Sequence, residues 1–236
     1  MNNLNPSNQT KLYGLERYLK ELIRMFNQNI YPNKILISGQ KGIGKSTMAY
    51  HFINYVLTIG EVKKYSVNDY NINTDSPEFK TIQNKSNTNL ITIDVNPDKK
   101  MIDINQIREL IINLNKSSFN KKPRFVLIDN IEMLNINSIN ALLKILEEPN
   151  ENIYFILIHN NSKILETLKS RCLTFKLFLT NTESYDITKK IFKTDISNKI
   201  NLDLINYYFT PGNVVKLVDF FEKTNFELKD LRLKEL

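Results

Sequence analysis

Residues Gly39-Gln40-Lys41-Gly42-Ile43-Gly44-Lys45-Ser46 follow the apolar run Lys34-Ile35-Leu36-Ile37-Ser38 and run into Thr47-Met48-Ala49-Tyr50-His51-Phe52-Ile53. The eight residues fit G-x-x-x-x-G-K-[ST], and their surroundings read as strand, loop and helix, the context that gives this pattern a physical meaning. Glycines at 39, 42 and 44 let the backbone curl until its N–H groups converge on one point, and the following helix adds the positive end of its dipole there. Lys45 offers a point charge to β- and γ-phosphate oxygens, and the Ser46 hydroxyl suits a magnesium ion. Gly39 to Ser46, with Thr47 behind them, are therefore the expected nucleotide contacts.

Such a loop needs a second element for the metal, usually an acid at the C-terminal end of a neighbouring apolar strand. Arg124-Phe125-Val126-Leu127-Ile128-Asp129 supplies it, so Ser46 and Asp129 are the expected magnesium ligands. A hydrolysing ATPase of this architecture commonly carries Glu at the next position as general base. Here it is Asn130, and an amide accepts no proton at neutral pH. Glu132 would share the face of Asn130 in an extended segment and would lose it if Ile131 opened a turn. The expectation is ATP binding with slow hydrolysis.

Further out, Leu15, Leu19, Leu22, Ile23 and Phe26 recur at helical intervals and predict a helix over Leu12–Gln28. Glu61–Asn89 is polar and weakly periodic, and is expected to be a surface insertion, disordered in part. A strand is predicted at Leu90–Asp94. Asp103 and Gln106 match a capping box before a helix carrying Ile107, Leu110, Ile111 and Leu114. A helix over Ile136–Glu148 points Ile139, Leu142, Leu143 and Leu146 inward and is stopped by Pro149. Ile153–Ile158 reads as a buried strand. Strands alternating with helices predict an α/β fold, a three-layer arrangement around a parallel sheet. After Phe178 the strand signals fade, and Ser184–Phe192, Leu202–Tyr208 and Val214–Phe221 look helical. The expected division is a nucleotide-binding domain over 1–177 and a small helical domain over 178–236.

Composition sets outer bounds. The chain has 236 residues and a formal net charge of +7, with its lysines scattered in short clusters rather than one basic run. That balance permits an acidic partner without demanding one. A single cysteine, Cys172, excludes a disulfide framework and a Cys-rich zinc site. No apolar run reaches the roughly 18 residues needed to span a bilayer. The first residues lack the apolar stretch of a signal peptide. A cytoplasmic location with no membrane partner is expected.

Several stretches together carry a family resemblance. They are Gly42-Ile43-Gly44-Lys45-Ser46-Thr47, Ile104–Leu110, the run from Asp129 to Pro149 ending Leu142-Leu143-Lys144-Ile145-Leu146-Glu147-Glu148-Pro149, and Ser170-Arg171-Cys172. In this order they resemble the AAA+ clamp-loader subunits of bacterial DNA polymerase III, the delta-prime type above the others. The resemblance covers residues 10 to about 215. It implies an AAA+ nucleotide-binding domain with a small helical lid, binding ATP and magnesium. It also implies a place in a ring-like pentamer with the gamma/tau and delta subunits, which opens the sliding clamp and sets it on primed DNA. Arg171 would be a finger acting in trans, its planar guanidinium suited to a phosphate oxygen that gains charge during transfer. Cys172 would be a small buried packing residue.

Departures from the family pattern narrow the role. Many members hold zinc with four cysteines in the region of Glu61–Asn89, where this chain has none, so zinc is not expected. The first sensor position falls at Ile158-His159-Asn160, with a loop histidine expected to be exposed. The second sensor, usually an arginine, is Asn213 in the turn Phe209–Val215. The family's C-terminal collar is expected to be truncated or much reduced, because the chain ends soon after the lid. The alternative is a gamma/tau-like motor ATPase, supported by the intact loop and opposed by Asn130 and Asn213. A nucleotide kinase would have no place for the Leu-Glu-Glu-Pro and Ser-Arg-Cys stretches.

Overall fold

Five short strands form one sheet in the order β2-β3-β4-β1-β5. They are β1 (Lys34–Ser38), β2 (Leu90–Ile93), β3 (Arg124–Ile128), β4 (Ile153–His159) and β5 (Leu173–Lys176), and every pairing is parallel. The structure is a computed structural model that describes residues 5–116, 120–147, 152–162, 166–194 and 210–224. Parallel strands need covered faces, and the sequence provides for both. Ile35, Ile37, Phe125, Leu127, Ile156 and Ile158 point to one face, where they join α1 (Glu16–Asn27) and α2 (Lys45–Leu57). Leu36, Val126, Ile128, Phe155 and Leu157 point to the other, against α4 (Ile104–Leu114) and α5 (Ile136–Glu147). The product is the three-layer α/β arrangement that the alternation of elements predicts.

The helices follow their sequence signals closely, with local exceptions. The capping box of α4 is formed: Asp103 accepts from the Asn105 N–H, and Gln106 accepts from the Asp103 N–H. The first helix begins at Glu16 rather than Leu12, because Gly14 sits at φ +78°, a conformation that cannot continue a right-handed helix. Leu12 is buried all the same. On α5, Leu142 and Leu146 are buried, while Ile139 and Leu143 are half-buried. The predicted stop at Pro149 and the predicted helix Leu202–Tyr208 lie outside the described residues.

One expectation is corrected, and one strand is added. Glu61–Asn89 is no loose insertion: it contains α3 (Pro77–Gln83) and buries Tyr65, Ile72, Phe79 and Ile82 in the same core as α2. Lys122 ties it down further through ion pairs to Glu61 and Glu78. Its apolar anchors are sparse against a polar background, which hides them from any periodicity. One strand has no counterpart among the predicted elements. Leu173–Lys176 forms the edge strand β5 on β1, and its mixed exposure masks the pattern a buried strand would show. A short α6 (Glu166–Lys169) precedes it, and α7 (Asn181–Phe192) and α8 (Pro211–Thr224) follow and pack on each other. Thr180 and Glu183 cap α7 reciprocally.

Candidate nucleotide site

The loop after β1 has the geometry its sequence requires. Gly42 and Gly44 stand at φ +90° and +93°, the left-handed region in which glycine carries no Cβ penalty. Gly44 is the N-cap of α2, and no side chain caps that end. The first backbone N–H groups of α2 are thus left to face the loop's concavity. Ile43 turns into the core, Gln40 and Lys41 lie exposed at the rim, and Thr47 is half-buried in the first turn.

Lys45 is buried, and its ammonium donates to the carbonyl oxygens of Gly39 (2.8 Å) and Gln40 (2.7 Å). Burial pulls its pKa down to about 8, against the opposing pull of the Asp129 and Glu132 carboxylates. The Ser46 hydroxyl donates to Asp129 Oδ2, and Asp129 Oδ1 accepts from the Asn130 N–H at 2.8 Å. Burial raises the Asp129 pKa above its ordinary value, with the Ser46 bond working the other way. The two expected magnesium ligands are therefore side by side, one from α2 and one from the end of β3. A hydroxyl beside a carboxylate is a hard oxygen set that fits magnesium, which keeps few protein ligands and completes its shell from phosphate and water.

The ends of β2, β3 and β4 extend this cluster in a way the sequence does not announce. Asn130 adopts the left-handed conformation, φ +53°, and Ile131–Met133 forms a single 3-10 turn. Ile131 does open a turn, yet Glu132 does not leave. Its Oε1 accepts from Asn160 Nδ2 at 2.7 Å, and the same nitrogen donates to Asn130 Oδ1 at 2.8 Å. Asn130 Nδ2 in turn donates to Asp94 Oδ1 at 2.7 Å. Asp94 was legible only as the acid closing a predicted strand. His159 corrects a further expectation: it is buried rather than exposed, with Nδ1 3.1 Å from the Ser38 hydroxyl and Nε2 2.9 Å from the Ser162 carbonyl. Asn160, not His159, is the polar group at the end of β4 that meets Asn130.

From the other side, the start of α8 touches the loop. The Gly212 N–H donates to the Gly42 carbonyl at 2.8 Å, and a Cβ on Gly42 would stand 2.4 Å from Thr210 Oγ1 and 3.2 Å from the Asn213 amide nitrogen. Asn213 thus lies beside the loop, in the turn where the resemblance places the second sensor. Arg171 is elsewhere. After α6, its Nε (3.1 Å) and Nη2 (2.6 Å) both donate to Glu147 Oε1, and Nη1 donates to the Thr167 carbonyl at 2.8 Å. Cys172 is half-buried rather than fully buried, packing at the margin of the α4–α5 core, and burial pushes its thiol up to about 11.

The sheet order and the loop at the end of its β1 strand define a P-loop protein of AAA+ fold. The branch migration motor RuvB of Thermotoga maritima shares that fold, with a TM-score of 0.52 at 16% identity over 96% of this chain and 70% of that one. The family model of the DNA polymerase III delta subunit matches residues 14–180, and the chain belongs to that family. Its relatives include the gamma subunit of DNA polymerase III from Buchnera aphidicola subsp. Acyrthosiphon pisum, 33% identical over 229 residues, covering 85% of this chain and 60% of that protein. The delta' subunit from Buchnera aphidicola subsp. Schizaphis graminum is 30% identical over 186 residues, covering 78% and 55%. The chain spans less than two thirds of the length of these relatives. Among the described residues, no helix is long and apolar enough to cross a membrane.

Proposed function

We propose that this chain is an ATP-binding subunit of a DNA polymerase III clamp loader. The observation that carries the reading is the built phosphate loop, with Lys45 buried at its base and Ser46 on Asp129, in a member of this family. In this role the backbone of Gly39–Thr47 and the Lys45 ammonium hold the phosphates. Ser46 and Asp129 hold magnesium, which when bound neutralises phosphate charge. Residues 1–177 act as the nucleotide-binding domain and 178–236 as the helical lid, with the Gly212–Gly42 hydrogen bond as their contact at the loop. Arg171 reaches a nucleotide held by a neighbouring subunit and exchanges Glu147 for a phosphate oxygen as its partner. The partners are the gamma/tau and delta subunits, with the sliding clamp and primed DNA engaged through the complex, in the cytoplasm.

A second reading, a gamma/tau-like motor, is favoured by one specific observation: Glu132 stands beside Asn130 despite the turn. The relatives on both sides are similarly related to this chain. The test is co-expression with the gamma/tau and delta subunits of the same organism, followed by purification of the complex and assay of its bound nucleotide. A stoichiometric complex carrying ATP or ADP on this subunit is expected. A chain that neither joins the complex nor retains nucleotide refutes the proposal.

A further inference from the structure

Asp94, Asn130, Asn160 and Glu132 form one continuous polar net across the C-terminal ends of β2, β3 and β4. Both oxygens of Glu132 are held by a single residue: Oε1 accepts from Asn160 Nδ2 at 2.7 Å and Oε2 from the Asn160 N–H at 3.3 Å. Because Asn160 Nδ2 also donates to Asn130 Oδ1, the two acceptors lie about 5 Å apart. The Glu132 carboxylate therefore sits next to the side chain at position 130. Asn130 in turn directly follows Asp129, whose carboxylate bonds the Asn130 N–H and meets Ser46 of the phosphate loop, so Glu132 adjoins the acid expected to hold magnesium. The turn explains how. Asn130 is left-handed, Ile131 is buried in the core, and the 3-10 turn sends Glu132 back toward β4.

We propose that Glu132 is the general base of this site, supplying the carboxylate that Asn130 cannot. The inference rests on the nucleotide-binding role proposed above and adds turnover to it. The Glu132 carboxylate takes a proton from a water molecule. The water oxygen forms its bond to the γ-phosphorus of ATP as the bond from that phosphorus to the bridging oxygen breaks, and the electron pair stays on ADP. ADP and inorganic phosphate depart, and Glu132 returns its proton to solvent. Asn160 is a positioning residue, fixing the carboxylate through two donors. Asn130 is a second one, able to accept a hydrogen bond from the water but not its proton.

Glu132→Gln separates this role from a merely structural one, because the amide keeps the size of the side chain and an oxygen for Asn160 but cannot take a proton. The full-length chain is compared as wild type, E132Q and E132D. The measurements are ADP affinity, affinity for ADP with aluminium fluoride, and single-turnover ATP hydrolysis. The expected result is ADP affinity within about twofold for E132Q, with hydrolysis slowed by about 10²-fold or more and a selective loss of affinity for the aluminium fluoride complex, which mimics the transition state. E132D keeps a carboxylate and hydrolyses at least about tenfold faster than E132Q. Equal rates in wild type and E132Q, equal rates in the two variants, or a wild type that binds ATP without turning it over each overturn the assignment. A wild type that binds neither ADP nor ATP overturns the nucleotide site itself, which is a different failure.

Discussion

Acidification from pH 7 to pH 5 is expected to destabilise this protein through one side chain, His51. It lies on α2, fully buried between the N-terminal segment and the 61–89 region. Its Nε2 is 3.1 Å from the Gln9 carbonyl, which can only accept, so Nε2 carries the hydrogen. Its Nδ1, 2.9 Å from the Tyr65 hydroxyl, is then the acceptor. A second proton would land on Nδ1, against the Tyr65 hydrogen and without water around the new charge. Burial accordingly pulls the His51 pKa from 6.5 down to about 4, with the Gln9 hydrogen bond opposing and Lys11 adding to the fall. Between these values the unfolded chain binds a proton that the folded one refuses. The stability is full above pH 6.5 and drains away as pH falls toward 4. Linkage gives a loss of about 2 kcal/mol by pH 5 and about 3 kcal/mol by pH 4. The assay is urea unfolding followed by circular dichroism for wild type and His51→Gln at pH 7, 6 and 5. Carboxylates titrate alike in both proteins and cancel in the difference. The advantage of wild type over the variant should shrink by about 2 kcal/mol between pH 7 and 5. A difference that stays constant to within about 0.5 kcal/mol would refute the argument.

Three further outcomes are expected. A methyl group at Gly212 would stand 2.8 Å from the Gly42 carbonyl oxygen and 2.9 Å from its Cα, backbone atoms that move only with the loop. Gly212→Ala should cost about 1–3 kcal/mol, shared between melting temperature and ADP affinity, and neither changing would show that α8 does not constrain the loop. Arg171→Ala should leave the isolated chain's melting temperature and ADP affinity nearly unchanged, because its ion pair with Glu147 is partly solvated. In the reconstituted clamp loader it should lower ATPase by about 10³-fold at the neighbouring site, and unchanged turnover there would remove the finger role. Lys45, at about 8 when the site is free, is protonated when it meets phosphate. ATP affinity measured by titration should therefore fall about tenfold between pH 7 and pH 9, and Lys45→Arg should flatten that profile.

The parts legible in the sequence share one property: their chemistry is contiguous. The loop Gly39–Ser46 and the strand ending at Asp129 each carry their signal within eight residues, and the sheet only has to bring Ser46 and Asp129 together. The parts that escaped are assembled from residues far apart, or hide behind local composition. Tyr65, Ile72, Phe79 and Ile82 anchor the 61–89 region as a few apolar residues in a mostly polar stretch, too few for a pattern to stand out. β5 is an edge strand whose half-exposed residues blunt the strand signal. His159 reads as a loop residue because nothing near it in sequence announces the Ser38 hydroxyl on the paired strand.

The contact between Glu132 and Asn160 is the most instructive of these, because it changes the chemical argument and not only the outline. Asn130 in place of a glutamate suggests a site without a base if each position is taken as owning its function. Reactions respond instead to where a carboxylate stands, and a side chain reaches several ångströms from its own Cα. One left-handed residue followed by one 3-10 turn is enough to bring a carboxylate two positions along the chain back beside the amide. Asparagine tolerates the left-handed conformation better than glutamate, because its short polar side chain bonds locally. Here the side chain is also held at long range, donating to Asp94 and accepting from Asn160. The residue that removes the expected base is thus the same one that makes the turn, and so delivers the substitute. Asn130→Glu would test that coupling directly. If the turn depends on the asparagine, the new glutamate should loosen the Glu132–Asn160 contact, and the substitution should raise hydrolysis far less than two carboxylates would predict.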